Sequence, residues 1–176
     1  MRYFFSTRRL GAALIIAASG FSAPALAGAS DWVKGAKSSA RLVSAGGLGG
    51  GFYRAGVEIA LAPQTITYWR NPGDAGSPPA FDFSASDNLA AVEPIYPAPK
   101  RIPEAGAEAF GYDSDVILPL RLRPADPARP VRLRLKLDYA ACEKICIPEQ
   151  ASFELTLAPG DARAPEAAGI AAFEAR

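Results

Sequence analysis

Cys142 and Cys146 are the two cysteines of this 176-residue chain, and three residues separate them in the stretch DYAACEKICIPEQ, residues 138–150. Three chemistries are open to such a pair: a structural disulfide, a soft metal clip, or a dithiol that opens and closes by exchange. The chain contains no histidine. That removes serine–histidine and cysteine–histidine nucleophilic triads and histidine-based zinc sites. Two thiolates do not complete a four-sulfur zinc site. They suit copper(I), yet the single methionine is Met1. The expectation is a site without metal or cofactor, with copper(I) handling as an alternative.

Loop entropy weighs against a staple. A disulfide stabilises mainly by restricting the unfolded chain, and it does so more as the closed loop lengthens. A crosslink across a turn this short adds roughly 1–2 kcal/mol. A short, exposed bridge is instead the kind that exchanges readily. Lys144, within the turn, favours thiolate formation and Glu143 opposes it.

The flanking residues set the geometry. In VRLRLKLDY, Val131, Leu133, Leu135, Leu137 and Tyr139 alternate with Arg132, Arg134, Lys136 and Asp138. SFELTL continues with Phe153, Leu155 and Leu157. Alternation of period two marks half-buried strands. Two strands joined by Glu143-Lys144-Ile145 would oppose the cysteines across a hairpin, at a Cα separation of about 5.5–6 Å. The apolar positions are odd on both strands, so parity places Cys142 and Cys146 together on the polar, reachable face. Tyr139 then points inward under the hairpin as a support. Pro148 lacks an N–H and blunts the edge.

Other segments alternate likewise: Val57, Ile59 and Leu61 in GVEIAL, and Val116, Leu118, Leu120 and Leu122 in VILPLRLR. Sixteen prolines and sixteen glycines divide the chain into short pieces. SAGGLGGG (44–51) and RNPGDAGSPP (70–79) are expected as loops, and RPADPARP (123–130) as a hairpin loop. Short strands between turn signals predict an all-β fold, an antiparallel β-sandwich, with a barrel as the alternative. Tyr68, Trp69 and Arg70 lead into a turn. Tyr68 and Trp69 are expected in core packing and Arg70 in the turn, with docking of a partner protein as the alternative role of all three.

The first residues read as an export signal. Arg2, Arg8 and Arg9 precede an apolar run, Leu10 to Ala18, and Ala25-Leu26-Ala27 offers a small-x-small cleavage motif. The run is too short to span a bilayer. Residues 1–27 are expected as a cleaved signal peptide, 28–159 as the folded domain, and 160–176 as a mobile tail, with a short helix or a linker as the alternatives. Loss of three leader arginines takes the formal charge from +1 to −2. That near-neutral balance implies no nucleic-acid partner. Outside the cytoplasm a close cysteine pair is normally oxidised.

DYAACEKICIPEQASFELTL resembles the active-site hairpin of the N-terminal periplasmic domain of the DsbD family of thiol:disulfide interchange proteins. It shares a tyrosine three residues before the first cysteine, the cysteine pair, and a Cys-x-Pro after the turn. TITYWRNPGDAGSPPAFDFSASDNLAAVEPIYPAPKRI resembles the upstream part of that domain in its ScsB-like branch, and the likeness runs roughly from Gly51 to Pro159. It implies an immunoglobulin-like β-sandwich in the periplasm, acting as a thiol:disulfide oxidoreductase component. It implies electrons received from a thioredoxin-like domain fed by a membrane electron carrier of the DsbD/CcdA type. It implies delivery to a periplasmic disulfide client protein, such as a disulfide isomerase or a cytochrome c maturation factor. Carried over, Cys146 forms the mixed disulfide and Cys142 resolves it. A cap loop with aromatics matches EAFGYDSDVILPL by position, making Phe110 the cap candidate with Tyr112 beside it. The best-known members space their cysteines by five residues rather than three. Full-length members continue into membrane helices and a thioredoxin-like domain, so this chain is expected to be either free-standing or a fragment. The competing expectation is a binding or assembly module with an inert disulfide.

Overall fold

The structure is a computed structural model that describes residues 28–74, 76–104 and 106–176. The expected signal peptide, 1–27, lies outside the described residues. Among the described residues, eleven strands and one helix follow in order: β1 (Val33–Lys34), β2 (Ser38–Ser44), β3 (Tyr53–Leu61), β4 (Thr67–Tyr68), β5 (Ala80–Asp82), β6 (Leu89–Pro94), β7 (Lys100–Glu104), β8 (Ala107–Tyr112), β9 (Val116–Pro124), β10 (Val131–Cys142), β11 (Cys146–Leu157) and α1 (Ala167–Glu174).

One antiparallel sheet has the order β1-β2-β3-β9-β6 and a second has the order β11-β10-β5. Their apolar faces meet. Leu42, Val57, Ile59, Leu118, Leu120 and Leu122 from the first pack with Leu133, Leu135, Leu137, Phe153, Leu155 and Leu157 from the second. The alternating sequences produce this directly, because period-two strands expose one row and bury the other. A third sheet, β4-β8-β7, stands apart from these two and reaches the cysteine end of β10 through β4.

Two connections differ from expectation. Residues 123–130 do not close a hairpin: β9 pairs with β3 and β6, whereas β10 pairs with β11 and β5. Both strands carry strong apolar rows, and each row is buried better across the sandwich than beside the other. Asn88 pins this crossover, its side-chain NH2 donating to the carbonyls of Asp126 and Arg129 at 2.9 and 3.0 Å.

The stretch expected as a mobile tail carries α1. Ile170 is fully buried against Val43 and Ile117, on the outer side of the first sheet, with Phe173 beside it. Ile170 and Phe173 are three residues apart and so share one helix face. This contact also explains why Ile117, on the polar parity of β9, is buried.

Candidate functional site

The hairpin β10–β11 pairs without a register shift from Val131↔Leu157 to Cys142↔Cys146. Cys142 and Cys146 are joined by a disulfide, with their Cα atoms 4.0 Å apart. That is closer than the expected 5.5–6 Å, and the hydrogen bonds show why. Cys142 exchanges both its backbone bonds with Ile66 on the other side, Cys142 N to Ile66 O at 2.9 Å and Ile66 N to Cys142 O at 2.8 Å. Toward Cys146 it is therefore a non-hydrogen-bonded position, where antiparallel strands come nearest.

Parity places both cysteines on the outer face of β10–β11, as the sequence indicates, but their exposure differs. Cys146 is exposed, while Cys142 is 2 % exposed. The outer face is covered at this point by Ile66, Tyr68 and Ala109, which pack on Ala140 and Cys142. The hydroxyl of Tyr68 lies 3.1 Å from Cys142 Sγ and 3.3 Å from Cys146 Sγ. Sulfurs in a disulfide carry no hydrogen, so the phenol is the donor to both.

Close backbone approach seats Tyr68. A side chain at Gly111, its partner on β8, would collide with Thr67 O at 2.2 Å. A Cβ at Gly76 would lie 2.7 Å from the Tyr68 ring. Gly76 is thus folded back onto the tyrosine that covers the bridge.

The expected cap residues face elsewhere. Gly111 and Ala109 occupy the side of β8 that meets Tyr68 and Cys142, so Phe110 and Tyr112 alternate to the opposite side. Tyr112 enters the main core and donates to Pro97 O at 2.9 Å. Burial pushes its phenol well above the ordinary range. Phe110 is half-buried, with the Arg101 guanidinium over its ring. The trio Tyr68, Trp69 and Arg70 is split in the same way. Tyr68 covers the disulfide, Trp69 packs against the core, and Arg70 is exposed and stacks on Trp69 at 4.8 Å.

On the other flank the turn before β2 grips the hairpin. Glu149 is buried, and its Oε1 accepts from Ala36 N at 2.9 Å and Lys37 N at 3.0 Å. Lys37 Nζ reaches Glu143 in the cysteine turn at 2.7 Å. That hydrogen bond, then the lysine's charge, holds the Glu143 carboxyl below its ordinary range. Tyr139 is buried as parity requires, its hydroxyl 2.7 Å from Ser38 Oγ. Burial pushes its phenol up, the Ser38 bond pulls it down, and the Glu149 charge raises it further. Lys37 and Ser38 gave no signal in the sequence. Glu149 did: it occupies an inward position of β11, where a carboxylate needs donors.

Lys144 and Ile145 project from the turn, and Ile145 is 72 % exposed. Pro148 lies opposite Ala140 within β11, an edge strand of its sheet, where a missing N–H is tolerated. A cleft of about 310 Å³ opens beside Cys146, lined by Ser77, Pro78, Ala80, Asp138, Ala140 and Pro148 among others. Among the described residues, no group of three or more His, Cys, Asp or Glu stands where it could hold a metal ion. Among them, too, no helix is long and apolar enough to cross a membrane.

Fold and site define an all-β sandwich domain bearing one hairpin disulfide between a buried and an exposed cysteine. The family model for the N-terminal part of the thiol:disulfide interchange protein DsbD matches residues 42–158, and the chain belongs to that family. The fold is that of an immunoglobulin-like β-sandwich. A crystal structure of the N-terminal periplasmic domain of ScsB from Proteus mirabilis is similar, with a TM-score of 0.67 and 23 % identity over 84 % of this chain. The chain spans 59 % of that structure's length. No curated protein matches the chain. Family and cysteine pair together fit thiol–disulfide exchange in general.

Proposed function

We propose that this is a periplasmic thiol–disulfide exchange domain that passes electron pairs from a thioredoxin-like donor, served by a membrane carrier, to a periplasmic client disulfide. One observation carries the assignment of roles: Cys146 is an exposed residue, while Cys142 is 2 % exposed and packed under Tyr68. A donor thiolate attacks Cys146 Sγ, the Cys142–Cys146 bond breaks, and Cys142 leaves as a thiolate. The donor's second thiolate then attacks the donor sulfur of the mixed disulfide and releases Cys146. Two electrons and, once both thiolates protonate, two protons have entered the domain. Cys146 attacks the client disulfide, and Cys142 resolves the second mixed disulfide by closing the ring.

A better leaving thiolate departs faster. The Tyr68 hydroxyl, 3.1 Å from Cys142 Sγ, is placed to donate to that thiolate as it forms. Phe110 and Tyr112 support the sheet behind this tyrosine, and Tyr139 supports the hairpin from the core. Lys144, Pro148 and Arg70 border the surface that a partner meets. Neither metal nor cofactor is needed for the steps.

The test is a mixed-disulfide trap. A Cys142→Ala variant should accumulate a covalent complex through Cys146 with a reduced thioredoxin-like protein whose own resolving cysteine is removed. A Cys146→Ala variant should not. Graded dithiothreitol should open the native bridge while the fold persists. A bridge that resists reduction until the protein unfolds would establish an inert structural disulfide instead.

A further inference from the structure

Gly28 directly follows the Ala25-Leu26-Ala27 motif. Its carbonyl accepts from Ser44 N at 2.7 Å, and Ala29 bridges Val43, so residues 28 and 29 are pinned along β2. On its other side stands Glu166, the residue that precedes α1. A Cβ built on Gly28 would lie 2.7 Å from Glu166 Oε2. Standard backbone dimensions then put the Gly28 nitrogen within about 5 Å of that oxygen. Glu166 Oε2 is buried and finds no hydrogen-bond partner among the described residues. Its carboxylate does not cap the helix either. A buried carboxylate oxygen without a donor destabilises the fold.

We infer that this oxygen is the receptor for the amino terminus that leader removal creates. Hydrolysis of the Ala27–Gly28 peptide bond by a signal-processing protease consumes one water. It leaves a carboxylate on Ala27 and an amine on Gly28. The amine takes up a proton near neutrality, since its ordinary pKa is about 7.7–8.0. A neutral amide with one N–H becomes an ammonium with three, beside an unpartnered carboxylate. The resulting charge-assisted pair ties the strand edge at Ser44 to the start of α1, the helix that covers Val43 and Ile117. The uncut chain has no ammonium here, so processing completes the packing of α1.

The inference rests on the export reading, and the test separates the two. The full chain is expressed with its own leader, and the product's amino terminus is read by mass spectrometry. A chain left uncut overturns both, and a cut elsewhere than before Gly28 overturns the ammonium pair alone. If Gly28 is the terminus, its amine should acylate at least threefold more slowly at pH 7 than the amine of a Glu166→Gln variant. Glu166→Gln should also lower the melting temperature of the processed chain by about 3 °C or more. In a full chain carrying Ala27→Phe, which removes the small residue that processing reads, Glu166→Gln should leave the melting temperature unchanged. Equal acylation rates, or the same Glu166→Gln loss with and without processing, would overturn the ammonium pair and leave the export reading standing.

Discussion

The hydroxyl of Tyr68 sits 3.1 Å from the buried sulfur of Cys142, donated from a two-residue strand that belongs to a different sheet. Sequence separation between them is 74 residues. The contact gives the inner sulfur a donor that water would otherwise supply, and it excludes that water.

Removing only that hydroxyl should therefore act on chemistry more than on folding. Tyr68→Phe keeps the ring against Gly76 and Ala109. It withdraws a hydrogen bond to a thiolate, worth about 1.5 kcal/mol or more when one partner is charged. The reduced form loses more than the disulfide, whose sulfurs are weaker acceptors than a thiolate, so the reduction potential should fall, by up to about 30 mV. Equilibration against glutathione redox buffers measures it. An unchanged potential would remove Tyr68 from the mechanism.

Exposure predicts unequal thiols once the bridge is opened. In reduced, folded protein, a bulky maleimide should label Cys146 at least tenfold faster than Cys142. Peptide mapping by mass spectrometry gives the ratio. In urea-unfolded protein the two rates should converge, because the difference lies in the cover over Cys142.

Glu149 holds two backbone amides at the turn before β2. Glu149→Ala leaves both without an acceptor and should cost about 2–4 kcal/mol in urea unfolding. Glu149→Gln retains a carbonyl acceptor and should cost less than half as much. A loss below about 1 kcal/mol for the alanine variant would mean that water replaces the carboxylate.

The Lys37–Glu143 pair carries a defined pH dependence. Glu143 is held below its ordinary value of 4.5 in the folded protein, first by the Lys37 hydrogen bond and then by that lysine's charge. A folded value below the unfolded one means stabilisation that is present above about pH 4.5 and is lost as pH falls through the folded value. Both groups are solvent-accessible, so the effect is small and screened by salt. Lys37→Ala should return the Glu143 carboxyl toward its ordinary titration, followed by its carbon chemical shift. Melting curves of the two proteins should differ at pH 7 and converge as the pH falls from 4.5 through the lowered folded value of Glu143.

Ile170 tests whether α1 belongs to the domain. It is fully buried against Val43 and Ile117. Ile170→Ala should destabilise the whole fold by about 2–5 kcal/mol, in one cooperative transition. A helix that melts separately, with the sandwich unaffected, would return residues 160–176 to the status of a linker.

The sequence by itself determined the strands that carry the site. Alternation from Val131 to Tyr139 and from Phe153 to Leu157 fixes which rows are buried, because neighbouring side chains on a strand must point to opposite faces. That same parity set Cys142 and Cys146 side by side and sent Tyr139 inward. Tertiary structure decided everything that depends on what lies against those faces. Parity says that Cys142 is on the outer row. It does not say that Tyr68 and Ile66 arrive from another sheet to cover it, since no local periodicity encodes a contact made across 74 residues. The aromatic over the bridge is for this reason Tyr68 rather than Phe110, and residues 123–130 cross between sheets instead of turning back within one. The cysteine spacing offered a pair of equivalent thiols. Packing made them unequal by closing one side of the hairpin and leaving the other open.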